Sequence, residues 1–153
     1  MIEVYTDGSH LDKQNNGRLG CGGVMVDGFK KIAEFSQELT PDWLKKNYRT
    51  DKVSNPTAEM LGVLIALRNF DFPKEGEVTF RCDYIGVPSW LLGKWRVKEP
   101  YLQAIKNDIE YEIRRKGLVG RIHFEWVKAH QKSVTREAYW NNYVDLLAKG
   151  LGG

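Results

Sequence analysis

"MIEVYTDGSH", Met1 to His10, is the stretch on which the reading of this chain turns. Ile2, Val4 and Thr6 alternate with Glu3, Tyr5 and Asp7, the period-two pattern of a strand with two unlike faces. The alternation carries a carboxylate, Asp7, to what reads as the strand's tip. Gly8 follows, the residue that most freely permits a sharp turn. A single acid before a glycine is an ordinary turn former. It becomes chemistry only if the rest of the chain brings other acids to meet it.

Outward from there, "LDKQNNGRLG" is a polar turn, and "CGGVMVD" and "KKIAEFSQEL" read as two strands joined at Asp27-Gly28. Gly20, Gly22 and Gly23 imitate a phosphate-binding loop, but no P-loop lysine follows and a strand, not a helix, comes next. "TPDWLKKNYRTDKVSNP" is a long connection with room for a helical turn. From Thr57, "TAEMLGVLIALRNF" carries a broad apolar stripe of Met60, Leu61, Leu64, Ile65 and Leu67 and predicts a helix, broken by "DFPKEGE". "VTFRCD" predicts a short strand ending in Asp83. "VPSWLLGKWRVKEP" reads as a short helix and a loop. "YLQAIKNDIEYEIRRKG" is a helix closed by basic residues and Gly117. "RIHFEWV" alternates as a strand, and "REAYWNNYVDLLAKG" is a final helix stopped at Gly150. The order is three strands, then helix, strand, helix, strand, helix. The opening hairpins suit antiparallel pairing, and the later strand–helix–strand unit suits a parallel crossover. An α/β chain with a mixed sheet and flanking helices follows.

The bulk numbers agree. The 153 residues are 42% hydrophobic and 28% charged, enough for one domain, residues 1–153, with a true core. A net charge of +3 and a pI near 8.8 permit a nucleic-acid partner without requiring one. Cys21 and Cys82 form no CxxC pair and sit in strand-like runs, so they read as buried free thiols of a reducing compartment. No apolar run approaches a membrane span and no signal peptide is visible, which predicts a cytoplasmic protein without a membrane partner, or a domain cut from something larger. Monomer is the default state.

Four acids stand at the ends or edges of elements. Asp7 and Asp83 close strands; if those strands are parallel neighbours their tips coincide, where open α/β sheets build sites. Glu59 lies near the start of the first clear helix, and Asp145 edges an apolar helix face beside Leu146, Leu147 and Ala148. Taken singly each has an ordinary use in a turn, a helix dipole or a solvated face. Together in one cleft they would repel, and divalent cations would resolve the repulsion. Hard oxygen donors favour Mg²⁺, with Mn²⁺ the alternative, over zinc. Two such ions about 3.5–4 Å apart can clamp both the attacking and the leaving oxygen of a phosphodiester.

The motifs "YTDGS", "SNPTAEMLGVLIAL", "FRCDY" and "FEWVKAH…NNYVDLLAKG", in this order, resemble type 1 ribonuclease H, retroviral-type domains included, from Ile2 to about Gly150. The resemblance implies a ribonuclease H-like fold, a five-stranded mixed sheet flanked by helices in the order βββαβαβα. It implies a metal-dependent endoribonuclease that cuts the RNA strand of RNA–DNA hybrids with two Mg²⁺ ions, leaving 5′-phosphate and 3′-hydroxyl ends. The family's metal ligands match Asp7, Glu59, Asp83 and Asp145, and its mobile-loop histidine, which assists proton transfer or product departure, matches His130. Ser54 and Asn55 match polar positions that hold a DNA phosphate and reach RNA 2′-hydroxyls, with helix capping as their ordinary alternative. Asn16, or equally Asn15, resembles another minor-groove contact. Trp90, Lys94 and Trp95, in an aromatic and basic run with Arg96 and Lys98, resemble the family's grip on the DNA strand, with core packing as the tryptophans' alternative. His123 reads as structural, and His10 has no assignment.

Departures are visible too. Tyr84 and Ile85 follow Asp83 where the family often has Ser-Gln, and an apolar Ile85 cannot make a glutamine's groove hydrogen bonds. "AHQK" replaces the common "GHxG", and the segment from His130 to Asp145 is longer than usual, with Asn141 still one helical turn before Asp145. Two rival functions belong to other classes: a module that grips hybrid without cutting it, and a transposase- or resolvase-type nuclease of the broader group. Four intact acids argue against the first; "TAEM" and "WVKAH" argue against the second.

Overall fold

A computed structural model describes residues 1–11, 17–52, 54–128 and 135–150. Its elements are β1 (Ile2–His10), β2 (Leu19–Asp27), β3 (Lys30–Leu39), α1 (Pro41–Tyr48), α2 (Asn55–Asn69), β4 (Val78–Cys82), α3 (Gly86–Leu91), α4 (Pro100–Arg115), β5 (Ile122–Trp126) and α5 (Arg136–Ala148). The strands form one five-stranded sheet in the order β3-β2-β1-β4-β5. β1 pairs antiparallel with β2 and β2 with β3, while β1–β4 and β4–β5 are parallel. This is the mixed sheet that the element order implied. The β2–β3 turn is Gly28-Phe29, one residue beyond the expected Asp27-Gly28, because Asp27 still pairs with Lys30; Gly28 takes φ +66°, a conformation that suits a residue without a Cβ.

Two faces of the sheet bury two cores. Val4 and Phe80 face α2 and α4, whose Leu61, Leu64, Ile105 and Ile109 are fully buried. On the other face Tyr5, Val24 and Val26 pack against Trp140, Val144 and Leu147 of α5. The period-two alternation therefore separates Val4 from its neighbour Tyr5, and places Asp7 on the α5 side. Cys21 and Cys82 are buried free thiols, as expected. No helix among the described residues is long and apolar enough to cross a membrane.

The elements differ from the sequence reading elsewhere as well. β1 does not end at Asp7: it runs to His10, because β2 continues to pair with it through His10↔Leu19. Gly8 is consequently not a turn but a point of close approach. A Cβ there would lie 2.3 Å from the Ala58 carbonyl carbon, so only glycine lets the start of α2 rest on the strand. The long connection holds a full helix, α1, whose Thr40 side chain caps it by accepting from the Trp43 N–H at 3.1 Å. α2 begins two residues before Thr57, at Asn55.

Candidate active site

Three carboxylates arrive from three elements. Asp7 sits on β1. The parallel register aligns Tyr5 with Arg81, so two residues further along Asp83 lies beside Asp7, immediately past the end of β4. Glu59 projects from the first turns of α2, which the absent Cβ of Gly8 brings onto the strand. One carboxylate oxygen from each of Asp7, Glu59 and Asp83 lies within 4.8 Å of the others. The pairing of Asp7 with Gly22 has a matching role on the opposite face. A Cβ at Gly22 would lie 2.7 Å from the Ala148 nitrogen, so its absence lets the end of α5 close over the sheet with Asp145. Of the glycines that resembled a phosphate loop, Gly20 and Gly22 admit α5 and Gly23 makes room for the Phe35 ring of β3.

Asp7 and Glu59 are almost completely buried, 4% and 6% exposed. The Gly8 N–H donates to Asp7 Oδ1 at 2.9 Å and to Glu59 Oε1 at 3.1 Å, so one backbone group aims both carboxylates. Asn141, one turn before Asp145, donates its amide to Asp83 Oδ2 at 3.5 Å. Lys149, one turn after it, pairs with Asp145 Oδ2 at 2.9 Å. Burial pushes the Asp7 carboxyl up to about 8; the hydrogen bond with Glu59 opposes this, and the charges of Asp83 and Asp145 add to it. Glu59 is pushed well above the ordinary carboxylate range by burial and then by Asp7. Without a counter-charge such a cluster retains protons at neutral pH.

The four acids line one open cleft of about 450 Å³ with Gly8, Ser9, Asn55, Tyr84 and Lys149. Asp145 stands at its edge, outside the three-oxygen cluster. The donor set fits a hard divalent cation. Every candidate ligand is a carboxylate oxygen, and Glu59 Oε2 is buried without a hydrogen-bond partner among the described residues. A buried, unsatisfied acceptor aimed into a cluster of acids is costly unless a cation completes it.

The predicted substrate residues are placed unevenly. Ser54 is the N-cap of α2, accepting from the Thr57 N–H at 3.4 Å, so its capping role is present. Asn55 reaches the cleft, where its Oδ1 accepts from the His10 N–H at 2.7 Å. His10, unassigned from sequence, thus positions Asn55 through its backbone. Trp90 is half-buried against the main core and its ring contacts Tyr84 at 5.8 Å and Trp95 at 6.2 Å. Lys94 and Trp95 are exposed, the latter by 44%. A chain of aromatic rings therefore leads from the cleft toward the basic run. Asn16 and His130 lie outside the described residues. His123 is on the surface, its Nε2 2.6 Å from Glu77 Oε2. Lys149 went unnoticed in sequence, although its i,i+4 spacing from Asp145 was there to be read.

Known proteins add an independent comparison. The RNase H family model matches residues 1–151. A protein named ribonuclease H from Anaplasma marginale is 28% identical over 97% of this chain and 88% of its own length. Another of that name from Pseudoalteromonas translucida is 27% identical over 99% and 90%. Among solved structures, LC11-RNase H1 in complex with RNA/DNA hybrid superposes with a TM-score of 0.75 at 20% identity, over 98% of this chain and 95% of that one. RNase H1 from the archaeon Halobacterium salinarum gives 0.68 at 20% identity, over 98% and 96%. These likenesses show the same fold.

Proposed function

The chain belongs to the ribonuclease H family and is an enzyme of that kind, and on that premise we propose that it hydrolyses the RNA strand of RNA–DNA hybrids in the acidic cleft, leaving 5′-phosphate and 3′-hydroxyl ends. The observation that carries the proposal is the meeting of Asp7, Glu59 and Asp83 from three separate elements, with a buried Glu59 oxygen left unsatisfied. In this reading those three acids and Asp145 hold two Mg²⁺ ions, with Mn²⁺ as an alternative. The ions, when bound, supply a water of lowered pKa and charge stabilisation at the departing 3′-oxygen.

The residues of the chain do the rest. The Gly8 N–H keeps the Asp7 and Glu59 oxygens converged before any ligand arrives, so little reorganisation accompanies binding. Asn141 steadies Asp83. Asn55, held by His10, presents its remaining amide donors to the groove in which RNA displays 2′-hydroxyls. Ser54 at the start of α2 receives a DNA phosphate, favoured by the positive helix end. Trp90, Lys94 and Trp95 carry the DNA strand away from the cleft, Trp90 mainly as the anchor that holds Trp95 in place. His130 moves a proton near the attacked phosphate or aids product departure. Residues 1–153 act as one domain and one monomer. Two buried free thiols suit a reducing compartment, the cytoplasm in this proposal.

A module that binds hybrid without cutting it is disfavoured, because binding alone gains nothing from buried carboxylates beside phosphates. Labelled hybrid, duplex RNA and duplex DNA incubated with Mg²⁺ test the proposal. Only the RNA strand of the hybrid is expected to be cut. Asp7→Asn is expected to abolish cleavage while hybrid binding, followed by fluorescence anisotropy, survives. Retained Mg²⁺-dependent cleavage by Asp7→Asn would refute the assignment.

A further inference from the structure

Among the described residues that line the acidic cleft, Lys149 is the single cation. It stands at the C-cap of α5, on a four-carbon stem, 44% exposed, with its ammonium 2.9 Å from Asp145 Oδ2. It lines the same cleft as Asp7 and lies within that residue's electrostatic reach. The pairing leaves the cleft's demand unmet, since Glu59 Oε2 still has no hydrogen-bond partner among the described residues. A compact, buried oxygen cluster calls for a small hard cation; a long flexible ammonium reaches only its edge.

We propose that Lys149 is an exchangeable counter-ion, which holds Asp145 while the cleft contains no metal and passes to a phosphate of the bound nucleic acid once a divalent cation takes that carboxylate. The inference rests on the reading of Asp145 as a metal ligand. Three features of the site support it. The Asp145–Lys149 pair is at the rim, with Asp145 25% exposed, so exchange requires no opening of the core. An exposed ion pair of this kind is weak, worth up to about fivefold in an equilibrium, so a divalent cation can displace it. Among the described residues Lys149 forms its ion pair with Asp145 alone, so a phosphodiester in the cleft would be a new anion for this strongly hydrated point charge. Lys149 is thus a competitor of the metal and a partner of the substrate, and the two roles have opposite signs.

That opposition gives the test. Mg²⁺ binding to the intact chain is measured by calorimetry without nucleic acid, and the KM for hybrid is measured separately. Lys149→Met removes the charge but keeps the length of the stem. It is expected to bind Mg²⁺ about fivefold more tightly and to raise the KM about fivefold. Lys149→Arg is expected to restore both values toward the wild type. Lys52→Met, which removes the same net charge from a surface lysine paired with Glu99, controls for general electrostatics and is expected to leave Mg²⁺ affinity unchanged. Lys149→Met binding Mg²⁺ no more tightly than Lys52→Met, or keeping the wild-type KM, overturns the inference and leaves an ordinary helix-end ion pair. A wild type that binds no Mg²⁺ and cuts no hybrid is a different failure, that of the proposed function itself.

Discussion

At the scale of single residues, Asp7 decides the most. Its carboxyl is pushed up to about 8, chiefly by burial, against about 3.9 for a free aspartate. A carboxyl whose folded pKa is raised contributes stability that is full below the unfolded value and is lost as pH rises toward the folded one. The metal-free protein is therefore expected to lose thermal stability between about pH 4 and pH 8, as Asp7, and Glu59 with it, are driven to ionise in their buried sites. Asp7→Asn should flatten that decline, read as melting temperature against pH in the presence of a chelator. Mg²⁺ added to the wild type should offset it, because a bound cation compensates the charges. An equally steep decline in Asp7→Asn would sink this account. Sequence made the acid at position 7 visible, but not the pKa, which depends on helices packed over it, with Glu59 of α2 standing 51 positions beyond the neighbouring Gly8.

At the scale of elements, α2 shows how a local signal and a distant constraint combine. Ser54 caps it by a hydrogen bond to the Thr57 N–H, and the Ser54 and Thr57 hydroxyls lie 2.9 Å apart. Ser54→Ala is expected to cost about 1 kcal/mol of folding stability, measurable by urea unfolding without any nucleic acid. An unchanged midpoint and slope would mean that the cap is not used. The helix was legible from its apolar residues, because nearly all of its length is buried. α1 was not, since only Leu44 and Tyr48 of its eight residues are buried and the pattern is too short for a periodic stripe. Its cap, Thr40 before Pro41, was the better signal. The end of β1 was misplaced for a related reason. Glycine after an acid is a turn signal locally, but pairing with β2 continues across it.

At the scale of the whole molecule, the end of the sheet opposite the cleft carries a second charged cluster with the reverse electrostatics. Glu3 is buried on β1, yet Arg136 of α5 and Arg81 of β4 hydrogen-bond it at 2.9 and 2.5 Å. Burial alone would raise its pKa, but the two guanidinium groups outweigh it and hold the carboxyl below its ordinary value. A carboxylate with a lowered folded pKa contributes stability above its unfolded value, about 4.3, that is lost as pH falls through the folded one. Glu3→Gln is expected to cost about 2 kcal/mol at pH 7, and the gap from wild type should close below about pH 4 in urea titrations. A gap that persists in acid would assign the loss to packing instead.

One strand thus carries two acids of opposite character, Asp7 destabilised and awaiting a counter-charge, Glu3 already neutralised by arginines. Nothing in the alternation of "IEVYTD" distinguishes them. Period, caps and turn residues are local properties, and from them the order of the strands and of the long helices, the mixed sheet and the identity of the acids were legible, while α1 was not. Only the tertiary structure decided that Asp7, Glu59 and Asp83 meet, that Gly8 and Gly22 admit the helices that bring Glu59 and Asp145, and that Lys149 shares the cleft. Those outcomes depend on register between strands and on the closeness of helix to sheet, which arise from contacts between residues far apart in the chain.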